Sequence, residues 1–509
     1  MFDLPAELDD DFWSQLNGFS MPTTLTPPNV GTGNLSSTTS SIRSPFPVSP
    51  AFTPGDSDFH EAYSLDATES ELLSHYLSHS ARAFAYDTDD LYALQIGYPS
   101  LAFRSGLIMK SMLALAAVCR CHDVLLKNRV GEAGDKVHLS DDDVKEMQEL
   151  LALADRYHNE SLSQTQAEIT GASYYQFALA NAPLMTLYGL ASQSIRIQFI
   201  DQSAEVAQRG ALPSEFTPSH SPLISLIRAA HEANSGISMD SRTLMHHIAD
   251  FANGNLMAAS PPSLGGGSTP DASVIGYDGR SSRHTKQWLL PIVSATCSRA
   301  FDGIRNRALA MHSTLPSRTS FVSPDASLTE RNEIQACLAA LDVLKEIATR
   351  VCGDGPSVGR SPAQTTPGTF ARPMVALPSW LQDYLARVTS ATPSQASHRT
   401  ITSFVNRVPA VFLGIVQDVL AVVPVETAVT GVWHGGQLSL VQQLAMDVLA
   451  HWLVFVVLLD DIWWIGEIGG WELRRVSAVM NSVGWAAGED PEWWPASMCR
   501  IRNEVEKHR

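Results

Sequence analysis

Two adjacent carboxylates, Asp460 and Asp461, follow the apolar run 452–459 and precede the tryptophan pair Trp463 and Trp464. Paired acids on a helical scaffold can hold Mg²⁺ against a diphosphate, because magnesium prefers oxygen ligands in near-octahedral order. Metal-dependent chemistry on a prenyl diphosphate, as in a terpene cyclase, is therefore the first function to weigh against a structural role.

A cyclase would need more acids than this stretch supplies. The position one helical turn after the pair is Trp464, and the next acid is Glu467. No second metal motif of Asn-Asp, Ser/Thr and Glu follows, since residues 480–490 read MNSVGWAAGED. We therefore expect no catalytic residue. Because an unpaired buried charge is costly, we expect the acids to cap a helix or to pair with Arg474 or Arg475 where a buried helix reaches the surface.

Three other groupings are weak candidates for binding sites. Cys119, Cys121 and His122 form a Cys-x-Cys-His run, but a helix points the two thiols to different faces, and zinc needs about four converging ligands. The adjacent histidines 246–247 are not a turn apart, and the glycines 265–267 lack the strand, helix and lysine of a phosphate loop. We therefore expect Cys119 and Cys121 to be buried in the core and the glycines 265–267 to lie in a linker. We expect no metal or cofactor site.

Composition limits the partners and the location. The formal net charge is −18, from 35 Lys and Arg against 53 Asp and Glu, so we expect no strong direct binding to nucleic acid. The six cysteines are scattered, with only Cys119 and Cys121 close together, which indicates reduced intracellular thiols. The acidic N-terminus does not resemble a signal peptide. The apolar runs 411–423 and 452–459 are shorter than the ~18 residues of a membrane span, which predicts core helices and no membrane association.

Residues 1–65 are predicted to be a disordered tail, because 20–60 is rich in Ser, Thr, Pro and Gly and cannot bury enough apolar surface. Within 2–19, acids surround apolar residues, a mixture typical of disordered activation segments. The apolar residues of this proposed segment include Phe12, Trp13, Leu16 and Phe19. A coactivator groove could fold it into a helix on binding. The alternative is an N-terminal helix docked on its own bundle.

From 66 to 509 the apolar residues recur at helical spacing, without alternating strand patterns or a fixed-period repeat. Helices are predicted at 68–84, 105–124, 141–162, 172–191, 222–234, 241–257, 285–311, 328–351, 378–389, 399–423, 437–466 and 469–483. Flexible inserts are predicted near 258–284, 312–327 and 353–376. Thr68 and Glu71 have capping-box spacing, and Pro183 predicts a kink. The predicted fold is an all-α helical bundle.

Two stretches of the chain carry a resemblance to a known family. The first is ELLSHYLSHSARAF at 71–84 with YPSLAFRSGLIMKSMLALAAVCRCHD at 98–123, and the second is LAMDVLAHWLVFVVLLDDIWWIGEIGGWELRRV at 444–476. Together they resemble the regulatory domain of fungal binuclear zinc-cluster (Zn2Cys6) transcription factors of the sterol-uptake-regulator type. The resemblance extends roughly over residues 68–485, although its middle is loose.

The resemblance implies a nuclear, pathway-specific transcriptional regulator, for example of a secondary-metabolite gene cluster. It implies that Trp463, Trp464 and Trp471 are packing residues of a core helix and that Asp460 and Asp461 serve structure. Such factors begin with six closely spaced cysteines and a basic linker, whereas no cysteine here precedes position 119. The expectation is therefore a regulator that acts through partners, or a zinc-cluster exon upstream of Met1.

The expected partners are a transcriptional coactivator or a DNA-binding protein, and a homodimer is compatible with the resemblance. The main alternative function is a sensor that holds a small apolar, sterol-like ligand between its helices, because some relatives respond to sterols and the chain is rich in aromatic residues and Met. A divergent terpene cyclase is the remaining alternative.

Overall fold

Helices account for most of the chain that the structure describes. The structure is a computed structural model, described here for residues 65–129, 139–170, 175–202, 283–314, 324–353, 378–388, 397–485 and 493–507, with the single residues 216, 218 and 224. These ranges contain helices and turns but no strand. The predicted all-α fold is therefore confirmed.

The described helices are numbered in chain order. The N-terminal ones are α1 Ala67–His75, a π-helical turn Tyr76–Ser80, α2 Ala81–Phe84, α3 Thr88–Tyr92, a π-helical turn Ala93–Gly97, α4 Tyr98–Ala102, α5 Gly106–Arg129, α6 Asp141–Thr170 and α7 Tyr175–Gln202. The C-terminal ones are α8 Arg283–Thr314, α9 Pro324–Cys352, α10 Ser379–Val388, α11 Ser397–Arg407, α12 Ala410–Val422, α13 Thr427–Thr430, α14 Leu440–Val457, α15 Gly466–Ser482 and α16 Trp494–Lys507. Pro183 lies inside α7.

Some predictions fall outside the described residues. They are the tail with Phe12, Trp13, Leu16 and Phe19, nearly all of the predicted helices 222–234 and 241–257, and most of the three inserts. Helical structure enters both ends of the insert predicted at 312–327, because α8 continues to Thr314 and α9 already begins at Pro324. Proline suits the first turn of a helix, where its missing N–H has no partner to lose.

The first helix is capped two residues earlier than predicted. The Asp66 carboxylate accepts a hydrogen bond from the Glu69 amide at 2.7 Å, and the Glu69 carboxylate accepts one from the Asp66 amide at 3.2 Å. Aspartate caps a helix as well as serine or threonine does. Glu69 also forms an ion pair with Lys110 of α5 at 2.9 Å. The capping box predicted at Thr68 and Glu71 is therefore wrong.

The pattern 399–423, predicted as one helix, forms two. α11 ends at Arg407, α12 begins at Ala410, and the two are bent by 95°. Pro409 stands between them with extended backbone, as a residue without an amide N–H and with a fixed φ favours at a helix start. Trp452 of α14 donates to the carbonyl of Ile401 in α11 at 2.9 Å.

The Trp-rich stretch also departs from its prediction. The helix predicted at 437–466 ends at Val457, and the next begins at Gly466, so Asp460, Asp461, Trp463 and Trp464 lie in the connecting turn. A Cβ at 466 would lie 2.6 Å from the Cα of Asp460, so the turn needs glycine there. The turn has the apolar composition of a buried helix, which explains why the sequence predicted a helix there.

Helix α14 is the centre of the C-terminal half. It packs against α15, α9, α12, α11, α16 and α8. By length and composition alone it could span a membrane, but 83% of it is buried within the fold. The burial agrees with the core helix expected from the run 452–459. In the N-terminal half, α5, α6 and α7 pack against one another, and α15 joins the two halves by packing on α7.

Candidate functional site

Trp463 lies where several segments meet. Its indole N–H donates to the carbonyl of Ala83 in α2 at 3.0 Å, and its ring stacks on His122 of α5 with centroids 4.3 Å apart. The ring also contacts Phe84 at 4.9 Å. From α7, the Ser194 hydroxyl donates to the Trp463 carbonyl at 2.6 Å. The two stretches that carry the family resemblance thus meet at this one side chain, and we call these five residues the Trp463 junction.

The other two predicted packing residues lie on either side of the turn. Trp464 is 9% exposed and meets His398 of α11 edge-on, whereas Trp471 in α15 is 1% exposed. The Arg474 guanidinium lies over the Trp471 ring at 5.6 Å. Trp463 itself is half-buried. The rings of Trp463 and Trp464 therefore contact different neighbours. Both residues lie in a turn, however, and not in the core helix that the resemblance implied.

The acid pair lies at the surface end of the turn. Asp460 is half-buried, and Asp461 is exposed on an open pocket of about 300 Å³ that it lines together with Lys286, Gln287, Leu290 and Pro291 of α8. A cyclase needs its acids around an enclosed apolar cavity, where water cannot quench the reaction. This position favours the structural interpretation of the pair.

Of the two arginines expected to pair with the acids, Arg475 is fully buried. It binds the Glu472 carboxylate at 3.2 Å and donates to the carbonyls of Leu420 and Val423 at 2.6 and 2.5 Å. It therefore satisfies carbonyls at the C-terminal end of α12, where a cation is favourable. A pairing of the acids with Arg474 stays a prediction.

A third acid of the same stretch, Asp447, is completely buried and was missed by the sequence analysis. It accepts hydrogen bonds from the indoles of Trp493 and Trp485 at 2.7 and 3.2 Å, and it pairs with Arg307 of α8 and with His451. Burial alone would raise the pKa of Asp447, but the cations and hydrogen bonds around it outweigh burial and lower that pKa. Only the spacing Asp-x3-His at 447–451 pointed to this network from the sequence.

The second feature that sequence reasoning missed is a cluster of His75, His79 and Asp123. The His75 Nε2 and the His79 Nε2 each lie 3.1 Å from a different oxygen of the Asp123 carboxylate. The three prospective ligand atoms all lie within 4.8 Å of one another, and all three residues are half-buried. His75 ends α1, His79 lies in the π-helical turn that follows, and Asp123 comes from α5.

Hydrogen bonds hold the cluster in place. The His75 Nδ1 lies 2.9 Å from the Ser80 hydroxyl, which leaves Nε2 to face Asp123. Partial burial would raise the pKa of Asp123, but the hydrogen bonds and charges of His75 and His79 outweigh it and lower the pKa. The spacing His-x3-His was visible in SHYLSHS, whereas nothing in the sequence assigned Asp123 to it.

The group of candidate ligand atoms does not include a cysteine, although the Cys119 thiol lies near Asp123 and shares a hydrogen bond with Ser80. Cys119 and Cys121 are fully buried, and burial raises the pKa of both thiols. Because a thiolate is the form that binds metal, these thiols are poor ligands. Two cysteines that are distant in sequence also meet: a side-chain hydrogen bond with Cys352 of α9 lowers the pKa of Cys297 of α8 to about 7.

Comparison with known proteins leaves the site to be interpreted from its own geometry. No protein-family model, curated protein or solved structure matches the chain.

Proposed function

We propose that the chain is a transcriptional regulator and that its helical unit is the regulatory domain. The observation that carries this proposal is the Trp463 junction. The two stretches that resemble the regulatory domain of fungal zinc-cluster factors are far apart in sequence, yet the Trp463 indole donates to Ala83 and stacks on His122. Segments that define one domain are expected to share one core in this way.

The acids at positions 447 and 461 support a regulatory rather than a catalytic role. Asp461 is exposed, and Asp447 is enclosed by Trp493, Trp485 and Arg307, with no room for a substrate against its carboxylate. Catalytic acids must touch the reacting atoms. Acids that are either solvated or fully used in packing serve the fold.

The acidic composition supports action through partners. A net charge of −18 opposes the phosphate backbone, so the regulator is proposed to reach its genes through a DNA-binding partner and to recruit a coactivator through residues 2–19. In that segment the acids keep Phe12, Trp13, Leu16 and Phe19 from collapsing on one another, and a coactivator groove supplies the apolar surface on which they fold.

A reporter assay tests the proposal. The full chain is fused to a foreign DNA-binding domain, and transcription from a matching promoter is compared with that of the domain alone. We expect activation by the full chain and by residues 1–60. The paired change Phe12→Ala and Trp13→Ala should reduce it, whereas the matched change Phe46→Ala and Phe52→Ala in the same tail should not. A silent fusion, or a fluorescently tagged chain excluded from the nucleus, would refute the proposal.

A further inference from the structure

The arrangement of His75, His79 and Asp123 is that of a three-ligand metal centre. We propose that these residues bind one divalent transition-metal ion, with Zn²⁺ as the preferred ion, through the two Nε2 atoms and the Asp123 carboxylate. This inference does not rest on the proposed function.

The distances are close to those that zinc requires. Zn–N and Zn–O bonds of about 2.0–2.2 Å place ligand atoms roughly 3.4 Å apart in a tetrahedron. Both histidine nitrogens already lie 3.1 Å from a carboxylate oxygen, and all three ligand atoms are within 4.8 Å of one another. Small rotations of the side chains would open the space for an ion.

The proposed metal site is partly exposed to solvent, and a hydrogen bond orients one of its ligands. The side chains of His75, His79 and Asp123 are 21%, 36% and 34% exposed, so an ion can enter without unfolding. The Ser80 hydroxyl lies 2.9 Å from the His75 Nδ1 and orients its ring, as the outer hydrogen bonds of metal-binding histidines do. The π-helical turn Tyr76–Ser80 begins directly after His75, and such turns occur frequently at functional sites.

The donor set selects the class of ion. Two imidazoles and one carboxylate suit Zn²⁺, Co²⁺ and Ni²⁺, whereas Mg²⁺ and Ca²⁺ require oxygen ligands. Three protein ligands leave a fourth position for water or another group.

A bound ion would fasten α1 and its π turn to α5. The residue next to Asp123 is His122, whose ring stacks on Trp463 with centroids 4.3 Å apart. Metal binding therefore also supports the Trp463 junction, and we expect it to raise the thermal stability of the helical unit.

Titration of the full chain with Co²⁺ tests the inference. The protein is freed of metal with a chelator, and the visible absorption of tetrahedral Co²⁺ is followed, with Zn²⁺ added to displace it. We expect one Co²⁺ per chain, displacement by Zn²⁺ but not by Mg²⁺, and a higher melting temperature with Zn²⁺. Failure of the wild-type chain to bind about one Co²⁺ per chain would overturn the inference.

Variants locate the ion. Asp123→Asn keeps the shape of the side chain and His79→Gln keeps a polar side chain, and each should weaken Co²⁺ binding by about 100-fold or more, since even outer-shell changes cost 10–100-fold. The matched controls His312→Gln and Asp302→Asn alter exposed residues and should bind as the wild type does. Unchanged binding by both cluster variants would place the ion elsewhere and overturn the proposal.

X-ray absorption of the zinc-loaded wild-type chain covers the case in which a cluster variant does not fold. A zinc shell of two imidazoles and oxygen supports the assignment. A shell that contains sulfur, or no imidazole, would contradict it.

Discussion

Trp463 is the residue that brings distant parts of the chain together, and its contribution to stability can be measured. Trp463→Phe keeps an aromatic ring but removes the part-buried hydrogen bond from the indole to the carbonyl of Ala83. We expect a loss of roughly 0.5–1.5 kcal/mol in the free energy of unfolding, the usual contribution of one hydrogen bond. Urea denaturation followed by circular dichroism measures it.

The matched control for that change is Trp288→Phe, because Trp288 is 62% exposed on α8. It should change the free energy of unfolding by no more than about 0.5 kcal/mol. Equal effects of the two substitutions would mean that the hydrogen bond and stacking at Trp463 add nothing to the fold.

His158 predicts how stability depends on pH. It is buried and stacks on Tyr188 at 4.3 Å, and burial lowers its pKa from 6.5 to about 4, with Asp155 opposing and Arg196 reinforcing the effect. The unfolded chain therefore takes up the proton first, so stability falls as pH decreases from about 6.5 toward 4. At ~1.4 kcal/mol per pKa unit, His158 contributes up to roughly 3 kcal/mol of this loss.

Urea denaturation between pH 7 and pH 5 checks this expectation. His158→Gln should reduce the pH dependence, and the exposed His312→Gln should leave it unchanged. Some dependence should remain in His158→Gln, because burial also lowers the pKa of His398, to about 3. If His158→Gln kept the full dependence of the wild type, the predicted role of this histidine would be wrong.

At the scale of elements, glycine controls how α15 returns against α14. A Cβ at 466 would lie 2.6 Å from the Asp460 Cα, and one at 469 would lie 2.8 Å from the Val457 amide nitrogen. Both neighbours are backbone atoms, which cannot move without shifting the connecting turn or the end of α14. Gly466→Ala should therefore cost about 1–3 kcal/mol, as overpacking of a core does.

The matched control is Gly303→Ala. Gly303 lies in the middle of α8 with nothing within 4 Å of an added Cβ. Alanine should stabilise that helix by up to ~1 kcal/mol, because glycine is the poorer helix former. Thermal melts of both variants compare the effects, and a Gly466→Ala protein as stable as the Gly303→Ala protein would contradict the close-approach argument.

At the scale of the whole molecule, the charge sets the expected behaviour toward DNA. With a net charge of −18, the chain should give no sequence-specific shift of DNA at physiological salt when it is the only protein present. A gel-shift or anisotropy titration over a range of salt concentrations measures this. A specific complex with a steep salt dependence would show that the chain holds DNA by itself, and it would remove the need for a DNA-binding partner.

The fold class and many helix positions were readable from the sequence because they are local properties. The sequence pattern at 105–124 predicted α5, and three acids predicted the start of α6 at Asp141. The break at Pro409 was also visible locally but was not predicted, and Asp66 was overlooked as a cap although its spacing to Glu69 is that of a capping box. These two errors concern interpretation, not missing information.

The sequence by itself determined that the described chain is helical, where most helices lie, and that its charge opposes nucleic acid. Only the tertiary structure decided which side chains meet. Asp123 joins His75 from 48 residues away, and Trp463 reaches Ala83 across 380 residues. The turn after Val457 also depends on such contacts, because its apolar residues fit a buried helix equally well until α2, α5 and α7 pack against it. Helix periodicity reports the burial of a face, but the identity of the neighbour follows from how helices pack in space.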